Sequence, residues 1–383
     1  MHSELYPTRR RHSPSSKDVA GQLFEIRSFL SKFMAVEQEL ELPNAEAFRA
    51  GKTAVAVRQL YDPKDLSERL AWAKRLAGDT KDVVIGHLKL AQSLGHMRRV
   101  AMIPDVGALD ALERDFPHLA DVVSQVRRRV ALASMSTSPV LRLPPLLLGG
   151  PPGTGKTAFA QRLAGLLKAK ILNIDMANIQ TAFTITGLDV GYATGKAGLI
   201  WEALQGESMA PVVILDELDK AEKTSGERDV TAFLYGLLEP VTSGRFIDGA
   251  IGLAIDASRV IWIATCNDAD AIHPAILSRF TQVDVDYPSP QQMPSVIRSI
   301  QEELLRDAEW KDGFSHDLDE AVVEALACLQ PRQVWQALED AYSSAALAGR
   351  RTLLPCDIPE AKRHAPSHRS IGFIHSFNAK AAS

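Results

Sequence analysis

An α/β fold, a parallel sheet with helices on both faces, is predicted for the middle of this chain by three observations. Between residues 146 and about 287, five apolar runs alternate with helix-periodic stretches, as strands joined by crossover helices do. The first run, Leu146-Leu147-Leu148, leads directly into a glycine-rich loop. A helical pattern over 158–168 follows that loop. The loop is therefore expected at a strand's carboxyl end, where ligands bind in such sheets.

The flanking elements can be read in order. Residues 1–17 mix Ser, Pro, Arg and His without periodicity and are expected to form a flexible tail. Residues 18–133 form an N-terminal helical region: Phe24, Phe29, Leu30 and Phe33 recur at helical spacing, as do Leu66, Leu70 and Ala73, then Val84 and Leu88. His87, His96 and His118 are isolated there and are read as surface or core histidines. Arg127, Arg128 and Arg129 are read as the solvated face of a helix, with a basic patch as the alternative. Residues 134–145, rich in Ser, Thr and Pro, are a linker. The α/β core spans 146–289, with strands at Leu146–Leu148, Ile171–Ile174, Val212–Leu215, Val260–Ala264 and Val283–Val285. Residues 290–364 return to helical periodicity, with stripes at Val296/Ile297/Ile300, Val322/Val323/Leu326 and Val334/Leu338/Ala341. Residues 365–383 are a polar tail containing Phe373 and Phe377.

Composition narrows the class. The 383 residues allow two or three domains; 46% are hydrophobic and 23% charged, an ordinary globular balance. A net charge of −4 gives the whole chain no strong pull toward nucleic acid or anionic membrane. No apolar run approaches the ~18 residues of a membrane span. The basic residues Arg9–Arg11 have no apolar stretch behind them, so no secretory signal is read, and a cytoplasmic location is expected. Cys266, Cys328 and Cys356 are widely spaced and read as buried thiols in a reducing compartment.

The loop Gly150-Pro151-Pro152-Gly153-Thr154-Gly155-Lys156-Thr157 fits G-x-x-x-x-G-K-[ST], the phosphate-binding loop. At a helix N-terminus, free N–H groups and the helix dipole attract phosphate. Together with Ala158 these are the candidate nucleotide-binding residues. Lys156 would reach the β- and γ-phosphates, and the Thr157 hydroxyl would hold Mg²⁺. Some 60 residues on, Val212-Val213-Ile214-Leu215 ends in Asp216-Glu217. A buried strand places both carboxylates at its carboxyl edge. Asp216 would serve Mg²⁺, a hard cation that prefers oxygen. Glu217 would be the general base on the attacking water. The next strand ends in Thr265-Cys266-Asn267. Asn267 could orient that water or contact the γ-phosphate, or be only a turn residue.

These residues together resemble AAA+ ATPases, and in particular the ATPase module of Lon-type proteases, over about 145–346. The matching motifs are Gly150–Thr157, Leu215-Asp216-Glu217-Leu218-Asp219-Lys220, Ile263-Ala264-Thr265-Cys266-Asn267 and Pro274-Ala275-Ile276-Leu277-Ser278-Arg279-Phe280. The resemblance implies an AAA+ P-loop NTPase core with a C-terminal helical lid. It implies ATP and Mg²⁺ as ligands and a homo-oligomeric ring, a hexamer. It makes Asn267 the sensor-1 residue, Arg279 an arginine finger acting on a neighbouring subunit, and Arg332, at the start of a lid helix, the sensor-2 residue. Tyr192-Ala193, within 187–199, matches the pore loop that grips substrate; a glycine-rich surface loop with an incidental Tyr is the alternative.

The departures matter equally. About 20 residues follow the lid, too few for the family's Ser–Lys protease domain, and neither H-E-x-x-H nor a Ser-His-Asp framework is present. The N-terminal helices differ from the family's β-rich substrate domain, and 224–229 is more polar than expected. The expected function is an ATP-hydrolysing ring motor that remodels or threads a protein substrate, chaperone-like, with no peptidase activity of its own. Its partners would be other copies, a protein substrate or a separate partner protein. The alternative is a nucleic-acid-associated ATPase, a loader or branch-migration motor, suggested by Ser278-Arg279 and the Arg127–Arg129 cluster. Against it stand the acidic net charge and the lack of a helix-turn-helix or aromatic-basic groove. A pure nucleotide switch would have no use for Glu217.

Overall fold

The computed structural model describes residues 56–76, 79–104, 106–135, 140–192, 195–221 and 230–359. The expectations for both tails, for the periodicity around Phe24–Phe33, for Ala193 and for 224–229 lie outside them.

The elements run β1 (Val57–Gln59), α1 (Pro63–Ala73), α2 (Asp79–Ser93), β2 (Met97–Arg99), α3 (Val106–Asp115) and α4 (Ala120–Ser134). The core follows: β3 (Leu146–Gly149), α5 (Lys156–Leu166), β4 (Ile171–Asp175), α6 (Phe183–Thr186), α7 (Leu199–Ala203) and β5 (Val212–Asp216). Next come α8 (Phe233–Leu237), α9 (Pro240–Ser243), β6 (Phe246–Ile247), β7 (Ala254–Ile255), β8 (Ile261–Cys266), α10 (Pro274–Leu277) and β9 (Thr281–Asp284). The lid holds α11 (Met293–Asp307), α12 (Glu320–Leu326) and α13 (Pro331–Leu347).

The central sheet has the order β4-β5-β8-β3-β9, every pair parallel. All five strands overlap the apolar runs, though β9 begins two residues ahead of its run, at Thr281. Strand side chains alternate between faces, and on the three central strands, β5, β8 and β3, both faces are buried. Leu147, Val213, Leu215, Trp262 and Ala264 enter one core. Leu146, Leu148, Val212, Ile214, Ile261 and Ile263 enter the other. That is why the strands read as continuous apolar runs rather than as alternating ones. Complete burial of each such Val, Leu or Ile contributes roughly 1.5–3 kcal/mol.

The residues ahead of the core are divided between these two layers. Leu66, Ala73, Val84 and Leu88 of α1 and α2 join the first core. Leu109, Leu112, Val122, Val126 and Val130 of α3 and α4 join the second. The stretch also contains a short antiparallel ribbon, β1 with β2, where helical periodicity alone was expected. Three-residue strands such as Val57-Arg58-Gln59 carry too few side chains to show a period of two. The β6–β7 hairpin is likewise invisible in the sequence, with two residues per strand.

The lid has its own core of Ile297, Leu304, Val322, Leu326, Val334, Leu338 and Ala341. Its longest helix, α13, begins with Pro331 at the first turn and a capping box between Gln330 and Gln333, which together satisfy N–H groups otherwise unpaired. One tie to the core is Ser295 Oγ, which donates to the Arg114 carbonyl at 2.5 Å. The cysteine expectation needs correction. Cys266 is buried, but Cys328 and Cys356 are exposed: Cys328 lies just past the end of α12, and Cys356 in the single 3-10 turn Pro355–Asp357, neither on an apolar stripe.

Candidate active site

The glycine-rich loop leaves β3 and enters α5 as the sequence predicted. Gly150, Gly153 and Gly155 have φ of 144°, 79° and 86°, in the region that favours glycine. Gly150 shows the reason most directly. A Cβ there would collide with the Val285 carbonyl oxygen at the end of β9. The loop is further held by Gly150 N–H to the Cys266 carbonyl (3.2 Å) and by Tyr287 Oη to the Pro152 carbonyl (3.2 Å).

Lys156 lies buried beneath this loop. Its Nζ donates to the carbonyls of Gly150 (2.7 Å) and Pro151 (2.9 Å) and to Asn267 Oδ1 (3.3 Å). Burial pushes the ammonium's pKa down, and the nearby Asp216, Asp219 and Glu217 partly restore it. The Thr157 hydroxyl donates to Asp216 Oδ1 at 2.9 Å, and the Thr265 hydroxyl donates to the same oxygen. Glu217 follows with φ 54° and ψ 48°, a left-handed conformation that is rare outside glycine and strained. Its N–H donates to Thr265 Oγ1 at 3.1 Å. Thr265 thus fixes both carboxylate residues at the strand edge. The sequence shows Thr265 within the Ile263–Asn267 motif but assigns it no role, because a strand-terminal Thr is ordinary in composition.

A cleft of about 380 Å³ gathers these groups. Lys156, Thr157, Asp216, Glu217 and Asn267 line it from the core, and Arg332 lines it from the lid. Arg332 Cβ stands 3.4 Å from where a Cβ on Gly153 would lie, so the lid arginine abuts the phosphate loop. The loop residues Pro152, Gly153, Thr154, Gly155 and Ala158 line it as well.

Of the lining residues that sequence reading did not assign to the site, two touch the phosphate loop from the segment ahead of α4. Phe116 sits 3.7 Å from the Cβ position of Gly155 and packs edge-on against Phe159, with ring centroids 5.6 Å apart. His118, read from sequence as an isolated surface or core histidine, faces the cleft. Its Nε2 donates to the Thr154 carbonyl at 2.8 Å. Burial pushes its pKa down, with the Thr154 hydrogen bond opposing this. Spacing could not reveal it, because His118 lies 36 residues before its partner.

Arg279 and Tyr192 are elsewhere. Arg279 does not line the cleft among the described residues. Its Nε is 3.1 Å from Glu239 Oε1, and its guanidinium lies 5.3 Å from the centroid of the Tyr235 ring. Tyr192 is 64% exposed at the tip of the 187–198 loop. Arg127, in the basic run of α4, is paired with Asp110 (2.5 Å) and Glu113 (2.6 Å), so it is no part of an open basic patch. No helix among the described residues is long and apolar enough to cross a membrane.

Comparison with known proteins agrees with this geometry. The model of the ATPase family associated with various cellular activities (AAA) matches residues 146–286. A mitochondrial Lon protease homolog of Debaryomyces hansenii is 32% identical over 179 residues, covering 46% of this chain and 16% of the relative. The Lon protease of Campylobacter concisus is 34% identical over 148 residues, covering 38% of this chain and 18% of the relative. The chain thus spans under a fifth of the length of these two relatives. Among solved structures, one of the S. cerevisiae Hsp104:casein complex aligns with a TM-score of 0.52 at 18% identity, over 74% of this chain and 53% of that one. That likeness speaks for the fold alone. The parallel sheet, the glycine-rich loop at its edge and the helices on both faces are therefore those of an AAA+ domain, and this chain carries an AAA ATPase module similar to that of Lon proteases.

Proposed function

We propose that this chain is an ATP-hydrolysing ring motor that remodels or threads a protein substrate, without peptidase activity of its own. The observation that carries the proposal is the convergence of Lys156, Thr157, Asp216, Glu217, Asn267 and Arg332 on one cleft. Three loop glycines with positive φ leave a backbone cradle beside a helix N-terminus, the arrangement that suits phosphate. The Thr157 hydroxyl and the Asp216 carboxylate, already 2.9 Å apart, form the oxygen pair that would hold Mg²⁺. When bound, that cation would neutralise phosphate charge.

In this reading each residue has a defined task. Lys156 exchanges the Gly150 and Pro151 carbonyls for phosphate oxygens and keeps Asn267 aligned. Glu217, held by Thr265 beside Asp216, takes the proton of the attacking water. Arg332 brings lid position to bear on the phosphate loop, so that occupancy and lid angle are linked. Arg279 serves the site of a neighbouring copy in a homo-oligomeric ring, a hexamer by resemblance. Tyr192 offers an exposed aromatic surface that can hold extended polypeptide by contact area, without sequence preference. The second reading, a nucleic-acid-associated ATPase, loses one of its basic residues, because Arg127 is paired within its own chain.

A paired experiment tests the reading. Glu217→Gln is expected to bind ATP and to turn it over about a hundredfold or more slowly. Tyr192→Ala is expected to keep basal ATPase and to lose stimulation by an unfolded protein such as casein. Undiminished turnover by the first variant would refute the general-base role. Undiminished protein-stimulated activity in the second would refute the grip.

A further inference from the structure

At the opposite end of the strands from the nucleotide cleft, four arginines line one cavity with no carboxylate in its walls among the described residues. Arg142 lies just ahead of β3 and Arg259 just ahead of β8, while Arg58 is on β1 and Arg129 on α4. Together they line a cavity of about 370 Å³ whose other described walls, Leu132, Ala133 and Val140, are apolar. Arg129, Arg142 and Arg259 also line an adjoining cavity of about 590 Å³, whose one lining carboxylate among the described residues, Glu239, is paired with Arg279. No ion pair to any of the four occurs among the described residues, where other arginines find partners.

Arg259 is the sharpest case. Its Nε and Nη1 are fully buried and have no hydrogen-bond partner among the described residues. Desolvation weakens its hold on its proton, and the charges of Arg142 and Arg58 weaken it further, with Asp256 only partly opposing them. Unpaired buried donors and converging like charges each cost free energy. A guanidinium fork presents donors in the geometry that matches a phosphate oxyanion. A multiply charged oxyanion would answer both costs at once.

We propose that Arg58, Arg129, Arg142 and Arg259 form a second anion site, separate from the nucleotide cleft, for a phosphate-class polyanion. The source is either a free polyphosphate or the phosphodiester backbone of a nucleic acid, since both present the same group. Arg142 and Arg129 are exposed and would make first contact; Arg259 would hold the ligand at depth.

The test measures binding of tripolyphosphate, and separately of a single-stranded dT20 oligonucleotide, to the full chain saturated with ADP so that the nucleotide cleft is filled. Arg142→Gln, an exposed substitution that leaves the fold intact, and Arg259→Gln are each expected to weaken binding about tenfold or more. Arg306→Gln, at an exposed lid arginine that lines neither cavity, is expected to leave it unchanged. Binding of tripolyphosphate alone supports the site and assigns it to free polyphosphate. Binding of dT20 with the same arginine dependence supports it and assigns it to nucleic acid. If neither probe binds, or if binding is indifferent to both arginine variants, the proposal is overturned.

Discussion

Substituting Asp248 by Asn should loosen the loop that carries Tyr192 while leaving the sheet intact. Asp248 is fully buried between β6 and β7. Its Oδ1 accepts from the N–H groups of Ala250 (2.9 Å) and Ile251 (3.0 Å), and its Oδ2 from Gly198 N–H (2.8 Å). The last bond ties the hairpin to the C-terminal root of the 187–198 loop. Backbone packing fixes the other root. A Cβ on Gly187 would strike this carboxylate, and one on Gly249 would lie 2.6 Å from the Gly187 carbonyl. Burial raises the pKa of Asp248, and the three N–H donors work against that rise. Asn has one acceptor oxygen. If it keeps the two hairpin amides, its NH₂ faces Gly198 N–H and one buried donor is orphaned, a cost of about 1–3 kcal/mol. Hydrogen exchange at the 187–198 amides should then quicken roughly 5- to 150-fold, the factor that this energy corresponds to. Exchange in β5 and β8 should be unchanged. Alanine would be a poorer probe, because orphaning all three donors costs an appreciable share of the roughly 5–15 kcal/mol that keeps a domain folded. Wild-type protection over 187–198 in the Asn variant would refute the clamp. So would uniform loss of protection across the sheet, which would make Asp248 a general stabiliser.

Two other perturbations follow from the cleft. Gly150→Ala should abolish ATP binding and lower thermal stability, because the new Cβ meets the backbone of Val285 rather than a side chain that can turn away; a variant that binds ATP normally in a filter or calorimetric assay would contradict the fit. His118 should contribute a pH dependence. Its pKa is held below the ordinary histidine value by burial, so as pH falls below about 6.5 the unfolded chain takes up a proton that the folded chain resists. The unfolded state then binds more protons, and stability falls with falling pH. Urea unfolding of His118→Gln should show a shallower loss over that window, with the remaining slope shared by groups such as His87, whose pKa burial also lowers.

The sheet was legible in the sequence because its three central strands, β3, β5 and β8, are buried on both faces. Such strands must be apolar throughout, and Val212–Leu215, with no exposed side chain, is the clearest of them. The phosphate loop was legible for a different reason: its backbone demands glycine at fixed positions, so a conformational need is written as residue identity. Asp216 and Glu217 could be read because an apolar run cannot hide two carboxylates except at its end. Phe116, His118 and Thr265 could not be read. Their roles depend on which elements the fold brings together, and none departs from what its own segment would carry anyway. Asp248 was silent too, since an aspartate near glycines reads as a turn, and only burial of its carboxylate against Gly198 N–H distinguishes it.

The placement of Arg279 bears on how much of the chemistry one chain can perform. Sequence resemblance assigns it to the site of a neighbouring subunit, and within its own chain it turns to Glu239 and Tyr235. Arg332 is the arginine that the cleft receives from its own lid. If hydrolysis needs a second guanidinium to spread the charge of the transferring phosphoryl group, a neighbouring copy must supply it. Turnover would then depend on contact between copies, and Glu239 would hold Arg279 in reserve until that contact forms. The Glu239 carboxylate is itself about half exposed, so the pair is weak, as pairs open to water are. A weak tie suits a residue that must be released on assembly, and it distinguishes Arg279 from Arg259, which lines the same cavity but has no carboxylate within ion-pair distance among the described residues.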